Sequence, residues 1–96
     1  MDQPNWTFFT NHSHVLVYLA LNGDAPLKDV AQAVGITERA AQRIVKELEE
    51  SGALTVDKVG RCNQYKINRK VRLRHPLEEH CSIGQILDVI QKQARG

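Results

Sequence analysis

Apolar positions along this chain recur at two different periods, and the change of period divides it. Val15, Leu16, Tyr18, Leu19 and Ala20 follow Asn11, a residue type suited to capping, and Asn22-Gly23-Asp24 comes next with turn chemistry. A first helix is expected there. Leu27, Val30, Ala31 and Val34 then share one face of a short second helix that Gly35 stops. Thr37 offers a hydroxyl cap, and Glu38 puts a carboxylate in the first turn, where the helix dipole favours it. Behind them Ala40, Ala41, Ile44, Val45 and Leu48 form the stripe of a third helix, 38–51, and Gly52 closes it.

Past Gly52 the period drops to two. Leu54-Thr55-Val56-Asp57 and Gln64-Tyr65-Lys66-Ile67 alternate as strands around a turn at Gly60-Arg61-Cys62-Asn63, which predicts a hairpin within 54–68. Residues 69–82 hold a basic run and Pro76, and read as a linker or extended arm. Ser82 then caps a last helix in which Ile83, Ile86, Leu87 and Ile90 stand at i, i+3, i+4 and i+7. There is no internal repeat and no low-complexity tract.

Helix, short helix, tight turn, longer helix, hairpin is the order of a winged helix-turn-helix. The turn residues supply the physical reason. Gly35 accepts the positive φ of the turn, Ala31 is small where two helices touch, and Ile36 plugs the space after the glycine. The expected fold is mainly α with a β-hairpin (α+β), a winged helix-turn-helix with an additional C-terminal helix. The expected parts are an aromatic arm over 1–10, the winged domain over 11–68, a basic linker over 69–82 and a C-terminal helix over 83–96.

With Ile44, Val45 and Leu48 turned inward, Arg39, Gln42, Arg43 and Lys46 share one outward strip of the third helix. Arg and Gln can make paired hydrogen bonds to guanine and adenine edges in the major groove, so Arg39, Gln42 and Arg43 are the expected base contacts. Thr37, Lys46, Lys58, Arg61, Asn63 and Lys66 are the expected backbone and wing contacts, Arg61 foremost because it sits at the hairpin tip. Glu47, Glu49 and Glu50 would repel phosphates, which confines groove contact to the first two turns of the helix. Read without DNA, the same charges make a solvated face with Arg43…Glu47 and Lys46…Glu50 pairs.

These residues resemble the winged-helix domain of MarR-type and ArsR-type bacterial transcriptional regulators. Leu27-x-x-Val30-Ala31-x-x-Val34-Gly35-Ile36-Thr37-Glu38-Arg39 carries the helix-turn-helix, and Leu48-Glu49-x-x-Gly52-x-Leu54 the junction into the wing. The segments Trp6-Thr7-Phe8-Phe9-Thr10-Asn11-His12 and Arg74-His75-Pro76-Leu77-Glu78 are also similar to parts of short regulators of that type. The resemblance implies a homodimer on a pseudo-palindromic operator of double-stranded DNA, with Arg39, Gln42 and Arg43 at bases and Arg61 in the wing. It departs from the full-length MarR pattern, whose long dimerising helices are missing or reduced to one short helix. No small-molecule effector is identifiable.

Charge sharpens one point. The 96 residues carry a net charge of only +2, yet 1–60 hold 5 basic against 8 acidic residues, and 61–96 hold 8 against 3. Arg61, Lys66, Arg69, Lys70, Arg72 and Arg74 lie in an acid-free stretch, so Arg69, Lys70, Arg72 and Arg74 read equally as a basic arm beside the duplex or as a solvated linker. Trp6, Phe8 and Phe9, three of five aromatic residues, together with Ile83, Ile86, Leu87 and Ile90, are the expected dimer interface. Packing of the last helix on the first within one chain is the alternative.

Other chemistry finds little to stand on. Cys62 and Cys81 form no Cys-x-x-Cys pair, and His12, His14, His75 and His80 fall at no metal-binding spacing, so no metal and no cofactor are expected. Cys62 beside Arg61 allows a redox switch, and metal response is the other minor alternative. No nucleophile and base, and no phosphate-cradling glycine loop, suggest an enzyme. The start of the chain has no basic stretch followed by an apolar run, and no apolar stretch approaches the ~20 residues that span a bilayer. The expected setting is the cytoplasm, at the nucleoid. The main competing function is a winged helix that binds protein or RNA without DNA specificity.

Overall fold

The computed structural model of the chain describes residues 5–94. Residues 1–4 of the aromatic arm and 95–96 of the expected C-terminal helix lie outside the described residues. Helices α1 (Asn11–Leu21), α2 (Leu27–Val34) and α3 (Glu38–Glu50) lead into an antiparallel hairpin of β1 (Leu54–Val59) and β2 (Cys62–Ile67), and α4 (Ile83–Ala94) closes the chain. This is the α+β winged helix with an added C-terminal helix that the two periods predict.

The core forms where the apolar stripes converge. Val15 and Leu19 of α1, Val30 of α2, Ala41 and Ile44 of α3, and Leu54 of β1 are all within 3% of complete burial. The angle between α2 and α3 is set at Gly35, whose φ of 86° lets its N–H and that of Ile36 both return to the Ala31 carbonyl, at 2.8 and 3.0 Å. Thr37 then caps α3, its hydroxyl accepting from the Ala40 N–H at 3.0 Å. Thr37→Ala is expected to cost about 1 kcal/mol, and thus to lower Tm by about 4–8 °C in a thermal melt followed by circular dichroism.

Several boundaries differ from the sequence reading. Thr10, not Asn11, is the N-cap of α1, and it makes no side-chain cap; the Asn11 side-chain Oδ1 instead meets His14 Nδ1 at 3.1 Å. Helix α3 ends at Glu50 with Ser51 as its C-cap, one residue short of the expected 51. Cys62 and Asn63 belong to β2, so the turn is only Gly60-Arg61. Gly60 has φ of 63° and Arg61 does not have a positive φ, the combination a two-residue type II′ turn requires. The hairpin is tied to the helices along its far edge by the Tyr65 N–H, which donates to the Gly23 carbonyl at 2.8 Å.

The largest difference lies in residues 69–82, which are no free linker. Leu73 donates to the Cys81 carbonyl at 2.9 Å, Ile83 to Val71 at 2.8 Å and Gly84 to Arg69 at 2.9 Å, so 69–73 runs back along the start of α4. Val71 and Leu73 pack against the core between their basic neighbours. The contact at Gly84 is close: a Cβ there would come within 2.9 Å of the Arg69 Cβ and carbonyl oxygen. Ser82 and Gln85 exchange hydrogen bonds at 2.8 and 3.2 Å, a reciprocal cap that starts α4 in this position.

Candidate nucleic-acid interface

On α3 the buried residues Ala41, Ile44, Val45 and Leu48 anchor one face. The opposite face is left with Arg39, Gln42, Arg43 and Lys46, all exposed. Among the described residues none of these four side chains hydrogen-bonds or ion-pairs within the chain. The Arg43…Glu47 and Lys46…Glu50 pairs of a merely solvated helix are not formed. Glu47 is turned instead to His12 of α1, whose Nε2 lies 3.1 Å from its carboxylate. The strip that carries cations is thereby separated from the carboxylates of the last turn. Thr37 precedes the strip; its oxygen caps the helix, and its O–H is left to donate.

The hairpin register places the wing residues. Lys58 stands opposite Asn63, and Thr55 opposite Lys66. Because directly opposed residues share a face and successive residues alternate, Lys58 and Asn63 lie on the face that carries Val56 and Tyr65, while Lys66 lies on the other with Cys62. Lys58 and Lys66, both expected as wing contacts, thus lie on opposite faces of the hairpin. Asn63 Nδ2 donates to the Tyr65 hydroxyl at 3.4 Å, which holds it toward the body. Arg61 occupies the second position of the tip turn, exposed and without a partner among the described residues.

The basic stretch divides in two. The Arg69 guanidinium donates to the Gly84 carbonyl at 3.1 Å and pairs with Asp88. Arg72 Nη1 reaches the carbonyls of Glu79 and His80 at 3.4 and 3.2 Å. Both act as clasps for the segment before α4. Lys70 and Arg74 are exposed and make no side-chain hydrogen bond or ion pair among the described residues.

The ends of the chain divide likewise. Trp6 and Phe8 meet edge to face with ring centroids 5.3 Å apart, and both stay exposed, Phe8 at 91%. Phe9 is 43% exposed. Ile83 and Leu87 correct the expected interface: they are buried in the core of their own chain and offer nothing to a second copy. Ile86 and Ile90 are half-buried, and Val89, which the seam pattern passed over, is 62% exposed. Cys62 and Cys81 are free thiols. Among the described residues no three His, Cys, Asp or Glu side chains gather where they could hold a metal ion, and no helix is long and apolar enough to cross a membrane.

Three helices, a tight glycine turn and the start of a hairpin have a counterpart among known domains. Residues 10–55 match the family model for winged helix-turn-helix DNA-binding domains. Over this stretch, just under half of its length, the chain is similar to that family. The match starts at the N-cap of α1 and ends as β1 begins, so it takes in all three helices of the winged helix, α3 included. No curated protein matches the chain in sequence. Among solved structures, the winged helix is similar to the antimony-specific transcriptional repressor AntR, with 20% identity and a TM-score of 0.54 over 88% of this chain and 69% of that one. It is also similar to AF1382 from Archaeoglobus fulgidus, with 19% identity and a TM-score of 0.56 over 90% and 91%. At these identities the likeness is one of fold. Both alignments span far more of this chain than the family match, so the shared architecture runs past the hairpin.

Proposed function

We propose that the chain is a sequence-specific transcriptional regulator that binds double-stranded DNA as a homodimer on a pseudo-palindromic site in the cytoplasm, with no catalytic role. Helix α3 enters the major groove, Arg39, Gln42 and Arg43 read bases, and Thr37 and Lys46 meet phosphates. The wing follows the flanking backbone or minor groove through Arg61 and either Lys58 with Asn63 or Lys66. Lys70 and Arg74 are what remains of the basic arm once Arg69 and Arg72 are committed to the clasp. The observation that carries this reading is the strip on α3: cations and an amide with no partner among the described residues, on the face of the helix opposite the core.

The homodimer draws on Trp6, Phe8, Phe9, Ile86 and Ile90, with Val89 added, an apolar set that one chain leaves open. Two such copies would set their third helices about 34 Å apart, one duplex turn. Anisotropy titration of random-sequence duplex at several salt concentrations, followed by selection of preferred sites, tests the whole. Salt-dependent binding that resolves to a two-fold symmetric site is the expected result. Salt-insensitive or absent duplex binding would point to a protein-interaction module, and sedimentation as a monomer at tens of micromolar would reject the dimer.

The wing makes a separate prediction. Arg61→Ala is expected to lower affinity for all duplexes alike and to reduce the slope of log K against log salt by about 0.9, the release of one counterion. An unchanged slope would place Arg61 in solvent.

A further inference from the structure

Behind α3, on the side of its last turn, an open cleft of about 950 Å3 lies between that helix, the start of α1 and residues 71–78. The volume is near the top of the range that takes a drug-sized ligand. Its floor is apolar, with Leu16, Leu48, Ala53, Val71, Leu73 and Ile83 contributing. Its rim carries both signs of charge, drawn from different elements. Glu47 and Glu50 come from the end of α3, where the helix dipole is already negative and no basic residue stands in the last turn. Arg72 and Arg74 come from the segment on the other side. Glu78 and His75 lie at the loop end of that side; His75 Nδ1 accepts from the Leu77 N–H at 3.1 Å, which leaves its Nε2 to donate.

No ion pair joins the two sides. The ion pairs among the described residues are His12 with Glu47 and Arg69 with Asp88. The bonds from Arg72 to Glu79 and His80 use Nη1 alone, so its other N–H groups stay available in a side chain that is already held in place. Apart from Glu47, which His12 of the same cleft meets, the carboxylates and the arginines thus line one cleft over an apolar floor without pairing.

We propose that this cleft binds a small amphipathic zwitterion, an apolar amino acid or dipeptide with both ends unblocked. Its ammonium group pairs with Glu47 and Glu50, its carboxylate with Arg72 and Arg74, and its side chain lies on Leu48, Ala53 and Ile83. A ligand with one charge would cover the opposite side without compensating it, which costs desolvation and gains nothing; a zwitterion compensates both. Occupancy bears on α3 directly, because an ammonium group at Glu47 competes with His12, whose contact adds a polar link between α1 and α3 to their shared core. That regulatory half rests on the DNA-binding reading above; the binding half does not.

Calorimetric titration of the full chain without DNA tests the site, with leucine, leucyl-leucine, N-acetyl-leucyl-leucine and leucyl-leucine amide as probes. Saturable binding of the free amino acid or dipeptide is expected, weakened about tenfold or more by blocking either end. Glu50→Gln and Arg74→Gln, both at exposed positions and checked by thermal melt for folding, are expected to weaken it by a similar factor. No saturable binding by any of the four probes, or equal binding of free and blocked forms, would overturn the proposal. Anisotropy on duplex with and without saturating dipeptide then reads the coupling. A shifted midpoint supports it, and by linkage the duplex must shift dipeptide affinity by the same factor; an unchanged midpoint sinks the regulatory half. A chain that binds dipeptide but no duplex in either condition rejects the DNA reading and keeps the site.

Discussion

Arg39→Ala and Arg43→Ala are each expected to remove about 1–3 kcal/mol of discrimination between a preferred duplex and one mismatched at the contacted base, roughly a five- to 150-fold loss. Both side chains are exposed on the strip of α3, and neither is engaged elsewhere among the described residues, so truncation removes a ligand contact without opening a hole in the protein. Folding stability should change by less than about 0.5 kcal/mol. The matched control is Lys46→Ala, one turn further along, which is expected to lower affinity for every duplex alike and to reduce the salt slope by about 0.9. Competition titrations against matched and mismatched duplexes separate the outcomes. Uniform weakening by the arginine variants would make them phosphate contacts and would move sequence reading to Gln42 or the wing.

Leu54→Ala should cost far more stability than any surface change, about 2–5 kcal/mol. Leu54 is 1% exposed and opens β1 directly below the end of α3, opposite Ile67 of β2. Its side chain joins the core of α1, α2 and α3, so its removal leaves a cavity where the hairpin meets the helices. Against a total of about 5–15 kcal/mol for a small domain, that loss is a large fraction. Val59→Ala, in the same strand but 55% exposed at the tip, is expected to stay within about 0.5 kcal/mol. Urea unfolding followed by circular dichroism measures both. A Leu54→Ala cost below about 1 kcal/mol would mean that the hairpin folds apart from the helical body.

Sequence pattern specified the helices and the hairpin well, because each has a period and a punctuating residue. Val30, Ala31, Val34 and Gly35 define α2 and its end, and Thr37 defines the start of α3 by a bond that local chemistry alone makes. What the pattern left open was the partner of an apolar face. Ile83, Ile86, Leu87 and Ile90 are a seam whether they meet a second copy or the same chain, and only tertiary packing sends Ile83 and Leu87 inward. A signal for this was present in Val71 and Leu73, which alternate with Arg72 and Arg74 as a half-buried extended segment does; the density of positive charge hid it. Face assignment in the wing had a similar origin. Lys58 and Lys66 separate once the register is known, and the register depends on a two-residue turn, shorter than the one that Gly60-Arg61-Cys62-Asn63 suggests. The strip Arg39, Gln42, Arg43 and Lys46 was legible because helical periodicity alone puts those residues opposite Ile44, Val45 and Leu48. The pairing of His12 with Glu47 bridges 35 positions of sequence, and no local pattern encodes it.

The bond from the Tyr65 amide to the Gly23 carbonyl gives the hairpin a clock. Tyr65 faces away from β1 with its N–H and is 6% exposed, so its proton can exchange with solvent only when the far edge of the wing lifts from the helices. In deuterium exchange its rate would report that opening. Slowing of this one amide on addition of duplex DNA would distinguish a wing pressed onto the helical body from one that merely touches phosphate at its tip.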